Sequence, residues 1–434
     1  MNIRFYNARI LTMEEDKPVF IGEVWTNGDK ISFVGTEDEA SSANIYRSFD
    51  REIDCKKNLL MPGFKNAHTH SAMTLMRSLA DDLPTQEWLN NQIFPIEAHM
   101  TGDDIYSLTK LAILEYLTSG ITSIFDMYLT PETIAKASRE AGMRCVQVGC
   151  VNNFSQSLEL VERMYNELNS EDDPLNSYFM GIHAEYTCSP ELLTKFSDLV
   201  HRYKAPVFTH IAETKSETLG CVERYGMSPV KYLASMGLFD FGGGGYHLVH
   251  VNEEDMQILK EKNMYVVTNP GSNVKLASGI APISDYLKHG IPVALGTDGP
   301  ASNNSLDFFR EMFLVTGLAK IRDDDASSVD AMEVLKMATV NGAHAMGIDD
   351  CDTLSLGKQA DMIMIDLDQP NMQPINNICK NIVYSGSKQN VKMTMIAGVI
   401  RYEDGKFNIG VDPHDLYAEA ENIKRRIMKE IGRD

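Results

Sequence analysis

Between residues 58 and 355 the chain alternates short apolar runs with stretches whose apolar residues recur at helical spacing. Eight such units can be traced, with apolar runs at 59–68, 121–126, 145–152, 178–183, 206–210, 246–250, 265–269 and 292–298. Runs of this kind, joined through helices, predict parallel strands buried on both faces. Every run finishes in His, Asp or Asn. A closed parallel barrel gathers the carboxyl ends of its strands at one face, where its chemistry sits. Eight polar strand ends therefore predict an α/β fold, a (β/α)8 TIM-type barrel. A doubly wound open sheet would use the same strands but leave their ends too far apart for one cluster. The glycines at 242–245 read as a loop leading into the sixth strand. They precede a strand rather than a helix, so they do not predict a phosphate cradle.

The flanks have a different pattern. Residues 1–57 read as short strands at 1–13, 19–26, 30–35 and 48–55, with Asn27-Gly28-Asp29 as a hairpin turn. From residue 356 the same style returns at 360–366 and at 391–402 around Gly398. Strands at both ends predict one small β-sandwich domain assembled from 1–57 and 356–411, with the barrel occupying 58–355. The last segment, 412–434, predicts a surface helix that starts at Asp412-Pro413.

Composition narrows the class. The chain has 434 residues, 43% hydrophobic and 23% charged, which is the balance of a soluble globular protein. No apolar run reaches the length of a membrane span. The alternating start, Met1 to Asn7, reads as a strand rather than a signal peptide, which makes the cytoplasm the expected location. A formal net charge of −21 argues against nucleic-acid and anionic-membrane partners. A homo-oligomer is compatible with the sequence. Seven scattered cysteines, with no Cys-x-x-Cys, predict reduced thiols that fill space.

Candidate chemistry lies at the strand ends. The first run closes with Pro62-Gly63-Phe64-Lys65-Asn66-Ala67-His68-Thr69-His70. Residues i and i+2 of a strand share a face, so His68 and His70 aim two imidazoles at one point. A turn that merely holds two histidines is the plainer reading, but two buried imidazoles side by side suit a metal better than a core. The fifth run adds His210 followed by Glu213, the sixth adds His247 and His250, and the eighth adds Asp298. One such residue alone would be a satisfied side chain or a helix cap. Three histidines and one carboxylate make a catalytic site for zinc or ferrous iron, so His68, His70, His210 and Asp298 are expected as ligands. Glu213 is expected as general acid/base. His250 is expected beside the attacking hydroxide, and His247, three positions earlier, as structural. The fourth strand ends without a lysine to bridge two ions, so one metal is expected.

With these motifs the chain resembles the amidohydrolase superfamily, and within it the 5'-methylthioadenosine/S-adenosylhomocysteine deaminases, with triazine hydrolases as relatives. The resemblance is carried by 62–70, by 75–97 with Trp88 and Pro95-Ile96-Glu97, by 210–214 and by 296–304. It implies the barrel, a β-domain made from both ends and a single divalent ion. It also implies substrate contacts: Glu97 on the ribose hydroxyls, Arg144 and His183 toward the 5' side and sugar, Trp88 walling the pocket, and Glu213 and Asp298 at the purine. Without the resemblance, Glu97 would read as a solvated helix residue, Arg144 as a surface charge and Trp88 as packing.

The activity so implied is hydrolytic removal of the amine from an adenine nucleoside, giving the inosine analogue and ammonia. Two departures from the family pattern bear on the substrate. The stretch after the third strand, 152–157, carries no second arginine, which weighs against S-adenosylhomocysteine. After His183 the chain has Ala184-Glu185 where the family continues Ala-Pro, which places an additional carboxylate near the expected pocket mouth. The alternatives are a deaminase or chlorohydrolase of guanine-like, pterin or triazine rings, a cyclic-amide hydrolase with two metals, and a non-catalytic scaffold.

Overall fold

The computed structural model describes residues 1–42, 48–79, 81–83, 85–170 and 173–433. Positions 43–47 and 434, which fall within the expected ranges 1–57 and 412–434, lie outside these.

The chain opens with β1 (Ile3–Ile10), β2 (Phe20–Asn27), β3 (Lys30–Gly35), β4 (Arg51–Asp54) and β5 (Leu59–Pro62). Eight strands of the middle region follow: β6 (Phe64–Thr69), β7 (Ile121–Asp126), β8 (Arg144–Val148), β9 (Asn176–Ala184), β10 (Val207–Ile211), β11 (Gly243–His247), β12 (Met264–Thr268) and β13 (Val293–Leu295). The chain returns to the first layer with β14 (Met362–Ile365), β15 (Val391–Ile396), β16 (Val399–Glu403) and β17 (Lys406–Phe407).

Strands β6 to β13 pair in parallel and in sequence order. The seam between the last and first is closed by side chain and backbone. The Asp298 N–H donates to the His68 carbonyl at 3.0 Å. The Asn66 side chain spans the same seam: its Oδ1 accepts the Thr297 N–H at 2.9 Å and its Nδ2 donates to the Thr297 hydroxyl at 2.7 Å. The barrel is filled by inward residues, among them Ala67, Phe125, Phe208 and Tyr246, all at most 1% exposed. Phe125 meets Phe208 edge-on, with ring centroids 4.9 Å apart.

The remaining nine strands form one sheet, ordered β17-β16-β15-β14-β5-β1-β2-β3, with β4 on β1. Its members come from both ends of the chain. The apolar run 59–68 is shared between the two layers: β5 belongs to the terminal sheet and β6 to the barrel. Gly63 makes the crossing possible, because a Cβ there would lie 2.1 Å from Thr122 Cγ2. The helix Pro413–Glu430 is capped by the Asp412 carboxylate, which accepts the His414 N–H at 2.8 Å. It lies on the barrel helix Gly102–Thr118, where Arg426 pairs with Asp104 at 2.5 Å.

The strand through 243–245 differs from the expectation of a loop. These glycines are the body of β11, because the backbone and side chains of the neighbouring strands already fill the space around them. A Cβ on Gly243 would fall 2.0 Å from the Val207 carbonyl oxygen, and one on Gly244 would fall 2.5 Å from the Phe208 ring. The strand therefore ends at His247, three residues earlier than expected. The seven cysteines are free thiols, all but Cys379 buried. Among the described residues, no helix is long and apolar enough to cross a membrane.

Candidate active site

Four side chains converge where β6, β10 and β13 end. His68 lies in β6 and His70 just beyond it, so the two share the strand's inward face. His210 lies in β10. Asp298 follows β13 in a left-handed conformation, with φ 59°. His210 Nε2 is 3.1 Å from His68 Nε2 and 3.3 Å from His70 Nε2. Asp298 Oδ1 is 3.1 Å from His70 Nε2 and 3.5 Å from His68 Nε2.

These spacings have a chemical meaning. A tetrahedral ion with bonds of about 2.0–2.1 Å sets its ligands roughly 3.3 Å apart. Imidazole nitrogens have no other reason to face one another at this distance in a buried site. The opposite ring nitrogens are held by backbone carbonyls: His70 Nδ1 by Met127, and His210 Nδ1 by His183 at 2.7 Å. A proton placed at Nδ1 leaves the Nε2 lone pair pointing into the cluster. Burial pushes His68 down to about 3 and His210 well below the usual range; burial opposes charge on His70 too, but there the neighbouring Asp298 carboxylate wins and raises it. Burial works against ionisation of Asp298, yet hydrogen bonding from His68 and His70 holds its carboxyl well below the ordinary value. Three imidazoles and one carboxylate fit a divalent cation, which would take the place of the protons that now hold Asp298 to His68 and His70. The barrel core braces the cluster from below, where Tyr246 stacks on His68 with centroids 3.7 Å apart.

His247 also reaches the cluster. With His68, His210 and Asp298 it forms a group whose ligand atoms all lie within 4.8 Å of one another. The backbone turns left-handed at His247 and Leu248, which swings the imidazole inward at the strand's end. Its Nδ1 lies 2.8 Å from Asn273 Oδ1. Its Nε2 is 3.9 Å from both Asp298 Oδ2 and Glu213 Oε2. The expected place of His250 is thus taken by His247. His250 lies past the strand end and directs Nε2 to the Ser278 carbonyl at 2.6 Å. The glycine run hid this, since reading it as a loop moved the sixth strand three residues too far along.

A cavity of about 540 Å³ opens from the cluster. Trp88, Glu97, His183 and Glu213 all line it, together with the unanticipated Tyr128 and Phe154. Glu97 is half-buried; desolvation pushes its carboxyl up to about 7, against the pull of the neighbouring Tyr128 hydroxyl. The Nδ1 of His183 is 3.1 Å from the Thr187 hydroxyl. Glu213 follows β10 on a turn in which Ala212 has φ 53°. That turn is tied down by Glu217, whose carboxylate accepts the N–H groups of Ala212 at 2.9 Å and Glu213 at 2.8 Å. The sequence Thr214-x-x-Glu217 is a capping box, a helix-start signal that could have marked it.

Arg144 is not at the cavity. It opens β8 and therefore lies at the opposite face of the barrel from the strand ends that carry the site. Its guanidinium grips Asp361 at 2.7 and 3.1 Å and the Pro174 carbonyl at 2.7 Å, joining the barrel to the chain just before β14. The expected substrate contact is corrected to a buried ion pair between layers. Glu185 likewise lies away from the pocket mouth, buried and paired with Arg224 at 2.6 Å.

Residues 59–401 match the model of the amidohydrolase family. The chain belongs to the amidohydrolase family. It is 38% identical to a protein of Caldanaerobacter subterraneus subsp. tengcongensis named 5-methylthioadenosine/S-adenosylhomocysteine deaminase, over 99% of each chain. It is 39% identical to a protein of the same name from Syntrophobacter fumaroxidans, over 92% of each chain. Among solved structures it resembles an adenosine deaminase of Xanthomonas campestris with bound zinc (TM-score 0.92, 30% identity, 99% of this chain and 98% of that one). An atrazine chlorohydrolase of Arthrobacter aurescens shares the fold (TM-score 0.86, 20% identity, 97% of this chain and 100% of that one). Within this family the cluster is a divalent-metal site and the chain is a hydrolase of C–N bonds.

Proposed function

We propose that this amidohydrolase removes the amine of an adenine nucleoside, releasing ammonia and the inosine analogue. The observation that carries this reading is the shared cavity: the metal cluster lies at one part of its wall and the Glu97 carboxylate at another. Such a pairing fits a ligand with a reactive ring at the cluster and a hydroxyl-bearing sugar at Glu97. The relatives named for adenosine and methylthioadenosine deamination support it.

Zinc suits the three-imidazole, one-carboxylate set, with His68, His70, His210 and Asp298 as ligands, and when bound it supplies a water acidified to near neutral pH. The remaining steps belong to side chains. Among the described residues, Glu213 is the only other acidic residue of the wall within reach of His247, and it gives its proton to the ring nitrogen as water adds to the amine-bearing carbon. The Nδ1–H of His247 donates to Asn273 Oδ1, so its Nε2 lone pair faces the attacking water, accepts a hydrogen bond from it and orients it. Asp298 takes the first proton of that water and passes it to the amine, which leaves as ammonia. The second proton restores Glu213. The hydroxyls of Ser272 and Ser302, 2.6 and 2.8 Å from Asp298 Oδ2, hold that carboxylate in place.

Ammonia release from adenosine, 5'-deoxyadenosine, 5'-methylthioadenosine, guanine and a chlorotriazine tests the reading. Turnover of the nucleosides alone supports it, together with a large rise in KM for Glu97→Ala. Turnover of guanine or the triazine alone, with Glu97→Ala silent, refutes it.

A further inference from the structure

The part of the cavity beyond Glu97 has a composition of its own. Three consecutive helical turns, Thr85–Trp88, Leu89–Ile93 and Phe94–Glu97, line one side with Trp88, Leu89, Ile93 and Phe94. Across from them Phe154 meets Phe94 edge-on, with centroids 5.7 Å apart. Phe154 is 63% exposed, an unusual state for a large apolar side chain. It is held there deliberately by its neighbour. Asn152 Oδ1 accepts the N–H groups of Phe154 at 2.9 Å and Ser155 at 2.7 Å, while its Nδ2 donates to the Cys150 carbonyl and the Ser155 hydroxyl. These bonds commit the polar groups of Asn152 to shaping the turn.

Charge is equally one-sided. Among the described residues, no lysine or arginine lines the cavity, whereas Glu97, Glu213 and Asp298 do. The nearby cations are engaged outside it. Lys275, next to the lining residue Leu276, is held by Asp81, Asn304 and the Ala301 carbonyl at 2.5, 2.6 and 2.9 Å. Arg77 is held by Glu115 at 2.6 Å and the Asn304 carbonyl at 2.8 Å. Arg433 is held by the Asn91 carbonyl at 2.6 Å.

We infer that Phe94 and Phe154 form a subsite for a short apolar 5' substituent, of the methylthio class, and that the enzyme turns away a 5' chain ending in an amino-acid carboxylate. The inference rests on the nucleoside reading above, and it names the residues that choose among nucleosides. Phe94 lies three residues before Glu97, one turn away on the same helix face. A ribose held at Glu97 therefore brings its 5' carbon toward the two rings. A thioether sulfur gains from aromatic edges. A carboxylate at the same place would leave water for a wall that offers acids and no cation.

The test is kcat/KM for 5'-methylthioadenosine, adenosine and S-adenosylhomocysteine, in the wild type and in Phe154→Arg. The wild type is expected to favour the methylthio nucleoside over S-adenosylhomocysteine by about 10- to 100-fold, the worth of one charge-assisted contact. Phe154→Arg, at an exposed position that does not threaten folding, is expected to raise kcat/KM for S-adenosylhomocysteine at least about tenfold and to lower it for the methylthio nucleoside. Equal use of all three by the wild type, or an unchanged preference in Phe154→Arg, overturns the subsite while deamination stands. If no adenine nucleoside releases ammonia, the functional reading fails and the subsite falls with it.

Discussion

The Glu217 carboxylate accepts the backbone N–H of Glu213 at 2.8 Å, so the proposed acid is positioned by the next turn of its own chain. The same carboxylate also accepts the N–H of Ala212, the residue in the left-handed conformation that turns Glu213 toward the cavity. Loss of these bonds frees the turn. Glu217→Ala is expected to lower kcat by up to roughly 100-fold, the cost of an acid displaced by about an ångström, with metal content unchanged. Unaltered kcat would show that the turn holds itself.

His247 and His250 make opposite predictions. His247→Ala removes the imidazole facing Asp298 and Glu213 and is expected to cost about 100-fold or more in kcat. His250→Ala removes a bond to the Ser278 carbonyl and is expected to keep most of the activity. The reverse order, measured by ammonia release, would restore the assignment made from spacing.

Much of this arrangement is legible in the chain, for identifiable reasons. Polar residues at the ends of apolar runs announce a barrel and its working face, because nothing else places His, Asp and Asn there so regularly. His68 and His70 announce a shared face through their two-residue spacing. The sixth strand is illegible because glycine normally interrupts strands, whereas here the Phe208 and Val207 neighbours require its lack of a side chain. Arg144 misleads for another reason. A charged residue beside a strand can sit at either end of a barrel, and only the strand's direction decides which. The part played by Phe154 depends on a turn built by Asn152, which no local pattern signals.

Arg144 is expected to matter for stability and not for substrate. It and Asp361 are 5% and 0% exposed at the side chain, and removal of one partner leaves the other charged and buried. Arg144→Met is expected to cost about 3–5 kcal/mol, read as a lower unfolding midpoint, with KM unchanged in the protein that remains folded. A raised KM with an unchanged midpoint would return Arg144 to the substrate.

Glu311 links folding to pH. It is fully buried, accepts the Gly271 N–H and the Asn303 amide at 2.8 Å each, and burial pushes its carboxyl up to about 7. Its folded value lies above the unfolded value, so between about 4.5 and 7 the folded state binds more protons than the unfolded one. This group's contribution to stability therefore falls as pH rises through that window and levels off above it. In Glu311→Gln that slope is absent, so the melting temperature of the variant relative to wild type is expected to climb from pH 5 to pH 8. A pH-independent difference would contradict the linkage.

The central claim is that one divalent ion, gripped by His68, His70, His210 and Asp298, makes deamination possible. The most direct measurement titrates a chelator against the enzyme and follows bound metal per chain together with ammonia release from 5'-methylthioadenosine. Activity is expected to fall in proportion to the loss of a single equivalent of metal and to return when zinc is restored. Full activity in protein stripped of metal would contradict that claim.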